Sequence, residues 1–245
     1  MSLVLASRAD GVATLSLNRP ERGNALGPDL VEALGEAFER AVAHGARLLV
    51  LRGEGRHFCT GFDLTDLESL SDGDLLLRVV RIEALLQRIH AAPVTTLAVA
   101  TGRTFGAGAD LFAVCDRRIA AAGASFAFPG PAFGLVLGTA RLAALVGRDR
   151  AREVLLSGRE MTAEAAVMAG LATAVLPPED IAPEIARAAA EAARLDPATV
   201  AALHRRTTQA EDDADLAALV RSAARPGLKQ RILDYRAQVA ARRKG

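Results

Sequence analysis

Two short apolar strands each run into a glycine-punctuated corner and then into a helical stretch. The first is Leu48–Arg52, followed by "GEGRHFCTGFDL"; the second is Val94–Ala100, followed by "TGRTFGAGADL". A strand that turns sharply into a helix, twice over, constrains the chain to layered α/β packing. Each helix start presents backbone N–H groups without intrahelical partners at the positive end of its dipole. If the two corners are neighbours, two amides can point at one oxygen, as a backbone oxyanion hole does. The blander alternative is that the glycines only let helix pack on strand. The second corner adds a puzzle: Asp110 stands inside the apolar run "GADLFAVCD", where a helix should bury itself.

The remaining pattern fits the same class. Leu3–Ser7 and Ala13–Leu17 alternate across the turn "RADG" and predict a β-hairpin. Pro28 suits the first turn of a helix whose apolar face is Leu30, Leu34, Ala37, Phe38 and Ala41. "ESLSDGD" reads as a mobile polar loop before a helix over Leu75–Ala91, which Pro93 stops. Arg118–Ala121 and Ser125–Phe128 read as strands, as does Ala172–Leu176. From Ile181 the chain is helical throughout, over Ile181–Leu195, Pro197–Ala210, Asp213–Ala223 and Pro226–Arg242, with Pro197 and Pro226 in first turns. The division this suggests is a core over 1–195 and a helical segment over 196–245.

Composition excludes several function classes. The 245 residues are 51% hydrophobic, enough for a sizeable core. A net charge of +1 lacks the basic excess of a dedicated nucleic-acid binder, and 4% aromatics with no Trp gives no stacking platform for single strands. No apolar run reaches the roughly 18 residues of a membrane span. "MSLVLASRADG" does not read as a signal peptide. Cys59 and Cys115 are expected as free thiols in a soluble, cytoplasmic protein. The four His residues show no metal-ligand spacing, and no HExxH, P-loop or G-x-S-x-G pattern occurs. "GAGADL" starts like a dinucleotide fingerprint, but Leu111 occupies the third glycine position and no ribose-binding acid follows a second strand.

Four segments in order carry a family resemblance: "LNRPERGNALGPDLVEALGEAFERA", "VLRGEGRHFCTGFDL", "ATGRTFGAGADLFAVCDRRIAAAGASFAFP" and "LVGRDRAREVLLSGREMTAEAAVMAGLATAVLP". Together they resemble the crotonase superfamily, the enoyl-CoA hydratase/isomerase family, from about Leu3 to Pro178. The resemblance implies a crotonase-type α/β spiral of ββα units with a C-terminal helical trimerisation segment, assembling as a homotrimer or a hexamer. It implies an acyl-CoA substrate, in fatty-acyl metabolism, with coenzyme A as part of the substrate and no separate cofactor. The oxyanion donors it implies are the amides of Phe62 and Ala107. Substrate contacts map to the loop of Arg22 and Ala25, to Thr60, Gly61, Asp63 and Leu64, and to Gly106. Asp63 has a second reading, as a brace for its own loop.

The acids depart from the family pattern. Family hydratases use two glutamates. The first falls at Asp110, one methylene shorter, and the second at Gly130 in "FPGPAFG". Before "TARL" the chain has only "LVLG", a shortened cavity wall. Asp110 is therefore expected to be the single acid/base, favouring isomerase-like proton transfer over efficient hydration. Alternatives are a non-catalytic acyl-CoA binder, and a thioester decarboxylase or hydrolase on the same fold. Asp110 also has a bland reading, as an acid favoured near a helix start by the dipole. The basic residues Arg221, Arg225, Lys229, Arg231, Arg236, Arg242, Arg243 and Lys244 read mostly as solvated faces of the tail helices, with contact to CoA phosphates across a subunit interface as the alternative for some. The apolar positions Val200, Leu203, Leu216, Leu219 and Val220 read as a stripe that needs an interface.

Overall fold

The computed structural model describes residues 2–207 and 212–242. The chain opens with β1 (Val4–Ala9), β2 (Val12–Leu17), α1 (Pro28–Ala43), β3 (Leu48–Gly53), α2 (Asp72–His90) and β4 (Thr95–Ala100). Then come β5 (Arg103–Phe105), α3 (Ala107–Ala113), β6 (Arg117–Ala121), β7 (Ser125–Ala127), α4 (Thr139–Val146) and α5 (Arg148–Ser157). They are followed by β8 (Met161–Thr162), α6 (Ala163–Ala169) and β9 (Ala174–Leu176). The tail is α7 (Pro178–Ala192), α8 (Pro197–Thr207), α9 (Asp212–Ala223) and α10 (Leu228–Arg242).

Six strands form one sheet in the order β1-β2-β3-β4-β6-β9. The β1/β2 hairpin is antiparallel, and every later pair in the sheet is parallel. A second sheet, β5-β7-β8, lies across the corner region. Parallel strands are buried on both faces, which is why Leu48–Leu51 is an unbroken apolar run. Leu49 and Leu51 join the main core with Leu30, Leu34 and Leu86, whereas Leu48 and Val50 pack with Ala188 and Ala192 of α7.

Several details correct the sequence reading. The polar "ESLSDGD" is ordered by a capping box: Ser71 accepts from the Asp74 amide, and Asp74 accepts from the Ser71 amide. The second helix therefore starts at Asp72 rather than Leu75. Pro226 is not in the first turn of α10, which begins at Leu228. That turn is capped from a distance by Asp72, whose carboxylate accepts from the amides of Gly227, Leu228 and Lys229. The strands β5 and β8 were not read from the sequence; at 3 and 2 residues they are too short to carry a period. The expected end of the Pro197 helix at Ala210 lies outside the described residues, as do Arg243 and Lys244.

The tail's apolar positions do not form one unpaired stripe. Val200 and Leu219 are buried within this chain, and Leu203 is exposed. Leu219, Ala223, Leu228 and Ile232 pack onto Leu67, Leu75, Val79 and Leu135, so α9 and α10 close over α2. Among the basic residues, Arg231 donates to the carbonyls of Phe133, Arg225 and Pro226, and Arg236 pairs with Glu68. These cations lock the tail in place.

Candidate active site

The two corners meet. The Cys59 and Thr104 backbones form a parallel bridge, and the Phe105 amide donates to the Cys59 carbonyl at 3.0 Å. Gly61 adopts φ +98°, and a Cβ there would stand 2.6 Å from the Phe105 carbonyl oxygen and 3.5 Å from the Ala107 nitrogen. Only glycine allows that approach. Both readings of the glycines hold in different places: a Cβ at Gly108 would overlap the Cys59 carbonyl, so Gly108 serves packing, whereas Gly61 and Gly106 line a cavity.

That cavity has a volume of about 180 Å³. Thr60, Gly61, Phe62, Leu64, Gly106, Ala107 and Asp110 all contribute to it, from both corners. Neither the Phe62 nor the Ala107 amide donates to a protein group among the described residues. Both are therefore available to an oxygen placed between the corners. The remaining wall is mostly apolar, with Val79 and Ile82 from α2 and Phe133 and Leu135 from the segment before α4, joined by Tyr235 from α10.

Arg22, Ala25 and Asp63 lie outside this lining. Arg22 is exposed and reaches the Thr65 hydroxyl at 3.5 Å. Ala25 is buried. Asp63 binds Arg19 at 2.9 Å and accepts from the Thr65 amide and hydroxyl, so it braces the first corner and faces a separate, polar cleft. Burial works against its charge, yet Thr65 and Arg19 hold its carboxyl below the usual value. Cys59 is fully buried and its thiol is pushed up to about 12 by that burial, which makes it an inert filler of the corner.

Asp110 sits on α3 with 5% of its surface exposed. Its carboxyl faces the cavity and has no hydrogen-bond partner among the described residues. Burial pushes it up to about 8; Arg141 pulls in the opposite direction, and Glu83 adds to the rise. A carboxyl of that kind is neutral at pH 7 and becomes a base just above it. Gly130 also lines the cavity, so the position of the second family acid faces the same space without a side chain.

The sequence reading missed Val79, Ile82, Phe133, Leu135 and Tyr235 in the cavity wall. Val79 and Ile82 share a helix face three residues apart, a spacing indistinguishable from ordinary core. Tyr235, the chain's one tyrosine, lies in the helical tail outside every motif.

Paired glycine corners at the heads of parallel strands, a buried acid beside them and a helical tail closing the space define the crotonase class of α/β proteins. The comparisons agree. The family model for enoyl-CoA hydratase/isomerase matches residues 7–225, and the chain belongs to that family. A crystal structure of an enoyl-CoA hydratase/isomerase-family chain from Bordetella parapertussis superposes with a TM-score of 0.94 at 48% identity, covering 97% of this chain and 99% of that one. The probable enoyl-CoA hydratase echA6 of Mycobacterium bovis is 39% identical over 173 residues, 69% of each chain. YngF of Bacillus subtilis, named as a putative enoyl-CoA hydratase/isomerase, is 30% identical over 194 residues, 77% of this chain and 75% of that one.

Proposed function

We propose that this member of the family is an acyl-CoA double-bond isomerase with Asp110 as its single acid/base. The observation that carries the reading is a lone, buried carboxyl facing the same cavity as two undonated amides. The thioester oxygen accepts hydrogen bonds from Phe62 and Ala107. As charge builds on that oxygen in the enolate, the preorganised N–H groups stabilise it. The Asp110 carboxylate takes a proton from the carbon next to the thioester, becoming neutral. It then returns that proton two carbons further along, and the double bond moves. A base with a proton affinity near neutrality suits both halves of the transfer. Hydration needs a second group to activate water, and Gly130 offers none.

Thr60, Gly61, Leu64 and Gly106 line the thioester end of the cavity, and Arg22, Ala25 and Asp63 shape the neighbouring loop toward the CoA moiety. Coenzyme A enters as part of the substrate, and the chemistry calls for no resident cofactor. No described helix is long and apolar enough to cross a membrane. For assembly the reading is a homotrimer or hexamer. It is supported by Leu156 on α5 and Met168 on α6, which are 84% and 80% exposed in the single chain. Light scattering giving a monomer mass at micromolar concentration would count against it.

Gly130 also favours a second reading, an acyl-CoA binder without turnover. A screen of 3-enoyl-CoA and 2-enoyl-CoA substrates across chain lengths separates the two. Isomerisation well above hydration, lost in Asp110→Asn with binding intact, supports the first. Tight binding with no turnover of any thioester supports the second. Release of free CoA or carbon dioxide would instead identify a hydrolase or a decarboxylase using the same amide pair. An acyl-CoA analogue whose carbonyl lies away from Phe62 and Ala107 in a crystal structure would refute the oxyanion assignment.

A further inference from the structure

The cavity lies at a seam between two apolar clusters. Ala107, Ala109 and Leu111 of α3 belong to the main core. Val79 and Leu135 belong to the cluster that α9 and α10 build over α2, and Phe133 packs against it. Asp110 and the Ala107 amide thus stand on one side, and the tail cluster forms the other. Coenzyme A is polar and far too large for this space, so the acyl group is the part of the substrate that fills it.

The tail reaches the cavity through one face of α10. Leu228, Arg231, Ile232 and Tyr235 fall at i, i+3, i+4 and i+7 on that helix. Leu228 and Ile232 are buried. Arg231 Nε donates to the Phe133 carbonyl at 3.0 Å, and its Nη1 donates to the carbonyls of Arg225 and Pro226 at 3.0 and 2.8 Å. Those bonds fix α10 against the 3-10 turn Gly130–Phe133. One helical turn beyond Arg231, the Tyr235 ring meets the Phe133 ring, with centroids 5.2 Å apart and planes tilted by 50°. Both rings line the cavity, and each is held by a different element.

Size and charge then define what fits. An engineered protein cavity of about 150 Å³ lined by Leu, Ile and Phe binds one benzene; this cavity is about 180 Å³. Among the described residues its lining includes no Lys, Arg or His. A carboxylate on the acyl chain would be buried there without a counter-charge, which costs far more than burying methylenes gains. We propose that the cavity selects an uncharged acyl group of about six carbons, and that Tyr235, brought in by the tail, sets the length limit.

The inference rests on the thioester lying at Phe62 and Ala107, as proposed above, but its test needs no turnover. Saturated, unreactive acyl-CoA thioesters from butanoyl to hexadecanoyl are titrated into the full chain by calorimetry. Affinity should rise about 4-fold per added methylene at first, the gain from burying one. The rise should stop at about six carbons, and decanoyl-CoA should bind at least about 10-fold more weakly than hexanoyl-CoA, because overpacking is unfavourable. Glutaryl-CoA should bind at least about 10²-fold more weakly than pentanoyl-CoA. Tyr235→Ala should move the limit upward by about two to four carbons, the space of the lost ring, and Tyr235→Phe should leave it in place. If Tyr235→Ala does not fold, Phe133→Ala opens the same pair from its other side, and Tyr235→Trp should shorten the limit.

Hexadecanoyl-CoA binding as tightly as hexanoyl-CoA in the parent overturns the proposal, and so does glutaryl-CoA binding as tightly as pentanoyl-CoA. An unmoved limit in a folded size variant of Tyr235 also overturns it, as does an equal loss at every chain length, since the ring would then stand at the mouth. A length limit that behaves as stated in a protein that isomerises no thioester would leave this inference standing and refute the isomerase reading. Isomerisation of 3-enoyl-CoA with no length limit would do the reverse.

Discussion

Gly138 stands against Asp110 so closely that a Cβ on it would fall well inside the 3.0 Å floor of real contacts with the carboxyl Oδ1. Gly138 is also the N-cap of α4, at φ +62°. The shortened segment before "TARL" thus ends on a residue whose missing side chain makes room for the acid.

Gly138→Ala should therefore push the Asp110 carboxyl off its position and strain the backbone, which at left-handed φ costs on the order of 1 kcal/mol. Turnover is expected to fall about 10²-fold, since a small misplacement of a reacting group is enough. CoA-thioester affinity should stay within a few-fold. Equal losses in affinity and turnover would show that Gly138 shapes the whole cavity instead.

Asp110 gives two linked pH predictions. As a base it must be ionised, so kcat/KM should rise with pH through about 8. For stability the sign is the reverse of an ion-paired acid. The folded carboxyl titrates at about 8 against an ordinary 3.8, so between those values the folded state holds the extra proton and stability falls as pH rises. Asp110→Asn removes that penalty. Its advantage in denaturant unfolding should grow from pH 4 to pH 8, with a ceiling of about 4 kcal/mol at pH 7. A pH-independent difference between the two proteins would refute the burial account, while a turnover loss below about 10²-fold would refute the catalytic one.

Gly130→Glu should add the missing acid. Gly130 has no positive φ, and a Cβ there would meet the Leu135 carbonyl oxygen at 3.6 Å and its Cβ at 3.8 Å, both ordinary contacts. The backbone therefore accepts a side chain facing the cavity. Hydration of crotonyl-CoA should increase at least about 10-fold over the parent, within the range a positioned acid/base supplies. A folded variant with unchanged hydration would mean that geometry, not the missing carboxyl, limits that reaction.

His204 on α8 gives a stability prediction away from the site. Its Nδ1 meets the Ala92 carbonyl at 2.6 Å and its Nε2 lies 3.0 Å from Asp116, which is itself held by the Thr96 amide and hydroxyl. The Asp116 contact raises the imidazole and outweighs its burial. The added stability is thus complete below the ordinary imidazole value of 6.5 and disappears as pH rises through the higher folded value. His204→Ala should cost about 1–3 kcal/mol at pH 6 and measurably less at pH 9. An equal cost at both would show that the ring acts by packing.

Much of this protein was decided within short stretches of chain. The hairpin, the strand–corner–helix repeats and the helical tail follow from turn residues and apolar periods acting over a few positions. The family match marked Phe62, Ala107 and Asp110, and the structure brings those three to one cavity. Local reading failed where a partner came from far away. "ESLSDGD" looked mobile because Asp72 finds its amides about the start of α10, with sequence separations of 155 to 157.

The sequence alone determined the layers, the corners and the presence of one acid beside a vacant second position. Only the tertiary structure decided that the corners touch, that Tyr235 and α2 close the cavity, and that Arg141 meets Glu83 and Asp215 across separations of 58 and 74 residues. The reason is physical. Backbone sterics and side-chain period act locally and can be read from neighbours in the chain. Desolvation and charge act through space, so the proton affinity of Asp110 belongs to the surfaces that fold around it.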